Sequence, residues 1–536
     1  MKTLRALYHL ARADFLQRTR SYGFLVTLGV TLYVSCFFIP PNHSSYATMQ
    51  IDGHRGLYNS PYLGSLMALL IAPFLSLAGF YLVKNAIERD IRTGVGQILA
   101  TTRISKPLYT VGKTISNFAV LAVMVAIMAL ATAVMQFVRK EDPVLHPWQL
   151  LSPLIFISLP VMFVVASLAI LFESIRWLRG GLGNVVYFFL WISALSTPIV
   201  RETAGRGAYN DLFGIGVVIP SISAACETAF PGSGKAGLSL GINVKSSGQY
   251  WDLTTFRWEG MDWTGALIAG RLSWLGVGLG LALLAAVFFR RFDPALEGSG
   301  IGRKVAREPA HSEVIEGRLP GDPAHTSTLH RLAKPPRFSF LFMVVAELRL
   351  ALHGVSLWWY LVAAGLFAAG LFTPVSVSRA FLVAAWIWPL LIWSAMGTRE
   401  TLLRTDQLVF STPHPLRRQL PACWFAGVLI ALATGGGTGI RLLLAGEQLG
   451  LIAWVVGAFF IPTMALTLGV WSGSSKLFEV LYLLLWYLGP ANQMAEIDFI
   501  GATGSLLPPR TPSLFFAITT ALVLFAIIGR KRQLAN

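Results

Sequence analysis

Two stretches carry the glycine, lysine and hydroxyl types that can cradle a phosphate: Gly232-Ser233-Gly234-Lys235 and Gly112-Lys113-Thr114. A nucleotide loop needs G-x-x-x-x-G-K-[ST], so that backbone N–H groups surround the phosphates and the lysine and hydroxyl complete the site. The first stretch has Ala229 where the leading glycine should stand and Ala236 after the lysine; the second has Pro107 for the leading glycine. Neither can form the loop. The metalloprotease, serine-hydrolase and dithiol patterns are missing as well. Asp211, Asp252, Glu259 and Asp262, in the polar segment 200–264, could serve a multispan transferase, but their spacing builds no paired-carboxylate site. No acidic residue lies deep in an apolar run, where an ion-coupled secondary carrier usually keeps one; Glu173 and Glu479 fall at run ends. Three cysteines are too few for a disulfide framework or zinc site; Cys36 and Cys226 both fall toward the outer side and could pair, though two unrelated thiols are the simpler expectation.

The elements that must carry this chemistry are membrane helices. Hydrophobic residues make up 54% of 536, charged residues 13%, and mean hydropathy is +0.62. A soluble chain would carry about twice that charge fraction. The net charge of +17 does not point to nucleic acid, because most of the 43 Lys and Arg flank apolar runs on one side. That is the positive-inside pattern of a multi-pass protein of a cytoplasmic (inner) membrane, with both termini cytoplasmic. No cleavable signal is expected, since basic residues run through the first 20 positions.

Apolar length predicts an all-α fold of twelve spans, near 22–39, 63–83, 118–137, 154–172, 182–199, 265–289, 356–374, 380–396, 424–444, 449–470, 477–489 and 513–528. Residues 1–20 and 340–352 read as helices lying in the inner interface. Residues 1–291 form a first six-helix half, 292–337 a cytoplasmic linker and 338–536 a second half. The apolar piece 213–225 is too short to cross and reads as a re-entrant or interfacial helix. Arg271, within the sixth span, is expected to snorkel to the interface.

Between the second and third spans hangs a basic segment, ERDIRTGVGQILATTRISKPLYTVGK, from Glu88 to Lys113. It recurs 310 residues later: Arg89 matches Arg399, Asp90 matches Glu400, Gln97 matches Gln407 and Thr102 matches Thr412. In the fifth span of each half, VVYFFLW at 185–191 matches VLYLLLW at 480–486, an offset of 295. Asp14 matches Glu347 at an offset of 333, and the basic stops Arg290 and Arg530 differ by 240. The shared order predicts two parallel repeats whose outer loops differ in length.

The segment resembles the cytoplasmic stretch of ABC transporter permeases of the type-2 exporter class, in its acidic residue, Thr-Gly, leucine, turn and Gly-Lys, in that order. The second copy departs from it, with Leu403 for the threonine, Pro413 and Pro415 in the turn and no Gly-Lys. The resemblance implies an exporter permease, not itself an enzyme and holding no cofactor. It would work with two copies of a cytoplasmic ATP-binding subunit that carry the ATP and magnesium. It also implies that Arg89, Asp90, Gln97, Arg399, Glu400 and Gln407 couple to that subunit, Asp90 and Glu400 from exposed positions just past a span. The substrate path would run along the second, fifth, eighth and eleventh spans, with Tyr187, Trp191, Tyr482 and Trp486 as candidate lining.

The chain purified free of other proteins is expected to hydrolyse no ATP. Turnover above a mock preparation in a phosphate-release assay would overturn the reading of the two failed loops.

Overall fold

The computed structural model describes the chain except for residues 1, 20–21, 42–43, 45, 204–209, 234–237, 245–252, 290–291, 293–338, 404, 413 and 536. It divides into two compact units, Met1–Phe292 and Asp293–Asn536. The expected linker thus lies outside the described residues except for Phe292. That ring is buried against Tyr109 and Phe289, at 5.5 and 5.3 Å between ring centres, so it belongs to the first unit.

The first unit runs α1 (Lys2–Thr19), α2 (Tyr22–Phe37), β1 (Tyr46–Gln50), β2 (His54–Gly56), α3 (Ser60–Val83), α4 (Ala86–Arg92), α5 (Val95–Thr101) and α6 (Lys106–Arg139). It continues with α7 (Pro147–Ser174), α8 (Gly181–Thr203), α9 (Ile215–Ala229), β3 (Ser239–Val244), β4 (Thr254–Phe256) and α10 (Gly265–Phe288). The second holds α11 (Phe340–Ala351), α12 (Leu357–Phe372), α13 (Val375–Ser394), α14 (Arg399–Leu403), α15 (Asp406–Phe410), α16 (Pro415–Leu444), α17 (Gln448–Ser472), α18 (Ser475–Trp486) and α19 (Arg510–Ala535).

Among the described residues, eight helical stretches are long and apolar enough to cross a membrane: Ser60–Ile91, α6, α7, α10, α13, α16, α17 and Arg510–Leu534. The chain is a multi-pass membrane protein of helices. The other four expected spans fall on α2, α8, α12 and α18. Of these α2, α12 and α18 have 16, 16 and 12 residues, short of the roughly 20 that cross a 30 Å hydrocarbon layer. The surfaces agree with a lipid solvent. On α10 the face bearing Leu279, Leu283 and Val287 is open, Val287 to 74%, an apolar stripe that a water-soluble unit would cover.

The all-α architecture carries one addition that the sequence did not reveal. The loops flanking the first unit's spans pair into two small sheets, β1 antiparallel to β3 and β2 parallel to β4. β1 and β2 therefore meet β3 and β4 at one end of the unit. Strands of three to six residues leave too little alternation for a sequence to reveal them.

Each unit packs its first helix on its second long span (α1 on α6, α11 on α16) and its last on its third (α10 on α7, α19 on α17). In the second unit α16 carries Gly435-Gly436-Gly437-Thr438-Gly439, which lets backbones approach closely, as small residues do inside membranes. A Cβ at Gly437 would stand 1.9 Å from the Phe367 carbonyl oxygen of α12. Gly437→Ala must therefore push α12 away, a cost of about 1–3 kcal/mol, and should lower the thermal midpoint in detergent by several degrees. Gly276→Ala on α10, where nothing lies within 4 Å, should leave it unchanged or raise it.

Candidate functional site

The segment read as the functional centre begins where α3 ends. Lys84 leaves the helix in an extended conformation and Asn85 takes a left-handed one (φ 85°), turning the chain into α4. A new helix start buried at this point exposes N–H groups that need an acceptor. Glu173, fully buried at the end of α7, supplies it. Its carboxylate accepts from the backbone N–H of Asn85 (2.5 Å), Ala86 (2.9 Å), Ile87 (2.6 Å) and Glu88 (3.4 Å). Lys84 Nζ reaches the other way, donating to Asn184 Oδ1 at 2.6 Å and to the Leu178 and Gly180 carbonyls at 3.2 Å, so the α7–α8 turn is held as well. Sequence placed Glu173 only at an inner helix end. Its signal was the one carboxylate closing a long apolar run.

Beyond the bend lies a buried ion cluster. Lys113 Nζ donates to Asp14 Oδ1 at 3.0 Å and to Asp90 Oδ1 at 2.9 Å; Tyr109 donates to Asp90 Oδ2 at 2.8 Å. Asp14 also accepts from Ser116 Oγ (2.7 Å), Arg18 Nε (3.3 Å) and Arg89. Arg18 Nη1 reaches the Val83 carbonyl at 3.2 Å. Burial alone would raise the Asp14 carboxyl, but the charges of Arg18, Lys113 and Arg89 outweigh it and hold it well below the usual carboxylate range. The cluster ties α1, the end of α3, α4 and the start of α6 together.

This corrects the expectation of an exposed Asp90, which is only 4% open; Glu400 is buried too. Charge reversal at Asp90 would set a lysine beside Lys113 and Arg89 with no water to screen them. Breaking a buried pair costs about 3–5 kcal/mol, so Asp90→Lys disrupts the fold and cannot report on docking. Arg89 and Arg399 are half-buried, and Gln97 and Gln407 are exposed.

The second unit builds a related cluster from matching positions. Arg399 pairs with Glu347 at 3.6 Å, as Arg89 does with Asp14. Gln419 donates to Glu400 at 2.5 Å, as Tyr109 does to Asp90. Position 423 is a buried cysteine where the first unit has Lys113, and the cation comes instead from Arg530 of α19, 3.5 Å from Glu400. Here burial dominates at Glu347 and raises its carboxyl, with Arg399 only partly offsetting it and Glu400 adding to it. Equivalent carboxylates are thus shifted in opposite directions.

The four aromatic candidates tie the fifth helix of each unit to the second. Tyr187 donates to the Ser76 carbonyl at 2.7 Å and Trp191 to that of Pro73 at 2.9 Å. Tyr482 donates to the Trp386 carbonyl at 2.6 Å and Trp486 to that of Val383 at 2.8 Å. The donors differ by 295 and the acceptors by 310, the two offsets seen in the sequence. Tyr187 and Tyr482 are buried, the two tryptophans half-buried.

The remaining candidates disperse. Asp211 caps α9, accepting from Ile215 and Gly216 N–H at 3.0 Å. Arg271 does not snorkel. It is 1% exposed and donates to the Phe156, Asp211 and Leu212 carbonyls and to Asn210 Oδ1. The piece expected to be re-entrant is α9. Glu259 pairs with Arg257 at 2.7 Å, and Asp252 lies outside the described residues. Cys36, Cys226 and Cys423 are free thiols, and among the described residues no group of three His, Cys, Asp or Glu could hold a metal. Compared with protein-family models, with curated proteins and with solved structures, the chain matches none.

Glu173→Gln keeps the volume but loses the charge and half the acceptor capacity. Hydrogen exchange at the amides of residues 85–88 should quicken by about tenfold, roughly 1.4 kcal/mol, while the amides of α6 keep their protection. Unchanged exchange at 85–88 would show that the carboxylate does not hold the bend.

Proposed function

We propose that this chain is the membrane-spanning subunit of an ATP-driven exporter, resembling type-2 ABC permeases, with two six-helix repeats that receive two copies of a separate cytoplasmic ATPase. One observation carries the reading. In each unit the second short helix after the first long span presents a large aliphatic side chain at matching register: Ile98 on α5, 67% exposed and flanked by Val95 at 42%, and Leu408 on α15, 73% exposed. Each sits beside an exposed glutamine, Gln97 or Gln407. These helices lie beyond the apolar spans among basic residues, on the side that the positive-inside pattern makes cytoplasmic. An exposed aliphatic on a braced polar segment suits a protein groove better than water.

The repeat supports two such contacts. The paired aromatic bonds, the matching ion pairs and the common order of helix packing all follow the 310, 295 and 333 offsets. We read α2, α8, α12 and α18 as the remaining four spans, short or tilted, which restores twelve and leaves both termini cytoplasmic. The energy source must then be external, since the chain carries no phosphate loop. Tyr187, Trp191, Tyr482 and Trp486 serve as framework, and the helices bearing them remain our candidates for the path. The docking contacts fall to Ile98, Gln97, Leu408 and Gln407. Arg89, Asp90, Arg399 and Glu400 brace the segments behind them.

Ile98→Asp and Leu408→Asp should each weaken retention of the ATPase by at least tenfold in co-purification at matched expression. Burying one such side chain is worth about 1.5–3 kcal/mol, or ten- to hundredfold. Normal retention by both variants would overturn the docking assignment.

A further inference from the structure

At the strand-bearing end of the first unit, a cavity of about 330 Å³ opens between the starts of α3, α7 and α10. Its walls mix three chemistries. Trp148 and Trp263 supply aromatic surface, and both are steadied by Phe156, with ring centres 6.1 and 4.9 Å from it. Glu259 and Asp262 supply carboxylates, and Met261 and Ile268 an apolar floor.

The charges are not balanced. Glu259 is paired with Arg257, but among the described residues no cation lies within 4 Å of Asp262. The cavity therefore carries a net negative charge beside two electron-rich indoles. A metal ion would be poorly served, because hard cations want a shell of oxygens and no such cluster is present among the described residues. A weakly hydrated organic cation fits better. Aromatic faces attract one within about 6 Å, a carboxylate neutralises it, and its carbon substituents rest on Met261 and Ile268.

We propose that this cavity binds an organic ammonium group. Its place at the ends of three membrane-crossing helices puts it where phospholipid headgroups lie, so the ammonium can belong to an ethanolamine or choline lipid or to a free amine. Neutral headgroups and anions lack the charge that Asp262 seeks. The inference is independent of the exporter reading: it concerns the end of the unit away from α5, and losing it would leave the docking contacts untouched.

The test uses the full chain in nanodiscs of phosphatidylglycerol alone, with radiolabelled tetramethylammonium in equilibrium binding. Saturable binding is expected, displaced by choline at least tenfold better than by its neutral isostere 3,3-dimethylbutanol. Asp262→Asn should weaken binding at least tenfold and Asp262→Glu should retain it. Asp262 is exposed, so neither change threatens folding. Nanodiscs containing phosphatidylethanolamine distinguish the sources. Loss of the soluble probe there, with a retained lipid in native mass spectrometry, assigns a headgroup; undiminished probe binding assigns a free amine. No saturable binding, equal competition by the neutral isostere, or full binding by Asp262→Asn would overturn the proposal.

Discussion

Lys113 between Asp14 and Asp90 is the contact on which the end of the first unit opposite its strands depends. One ammonium, 3.0 and 2.9 Å from two carboxylates on different helices, replaces the water that each would otherwise need. Removing any member leaves its partners charged and dry, so the three helices must stay together. Glu173 extends the same logic to the bend before α4, where a buried carboxylate answers four backbone N–H groups at once. The consequence is a polar segment with a fixed floor and a free outer face. That combination turns Ile98 from a stray exposed aliphatic into a rigidly presented one.

The second unit reaches a similar end by different chemistry. With a cysteine at 423 and a glutamine at 419, Glu400 has lost the lysine and tyrosine that Asp90 enjoys, and Arg530 arrives from the last helix instead. At 3.5 Å, without the short multiple contacts of the first cluster, this pairing is the looser of the two. The raised carboxyl of Glu347, against the lowered one of Asp14, expresses the same difference. Under the exporter reading, α5 and α15 would present comparable side chains on supports of unequal stiffness, and the two ATPase contacts would differ in kind.

Much of the scaffold was legible in the sequence because the membrane imposes a length. Apolar runs located every described helix that is long enough to cross, whereas the four aromatics read as path lining and their bonds to the carbonyls of Ser76, Pro73, Trp386 and Val383 were not foreseen. What stayed hidden depends on long-range pairing. Lys113 read as the tail of a failed phosphate loop, since its partners lie 99 and 23 residues away. Asp90 read as exposed because a polar stretch between spans is usually wet, and nothing local shows that α1 folds over it. Arg271 read as a snorkelling side chain because its carbonyl partners belong to a loop some 60 residues upstream. The strands were invisible because they are short and pair across most of the unit.

The most direct measurement is a double-mutant cycle on the central contact, with Asp90→Asn, Lys113→Met and the pair compared in reversible unfolding titrations in detergent. If the buried charges hold the segment, Lys113→Met costs less in the Asp90→Asn background than alone, by about 1–3 kcal/mol. Additive effects, with no coupling between the two positions, would contradict the account.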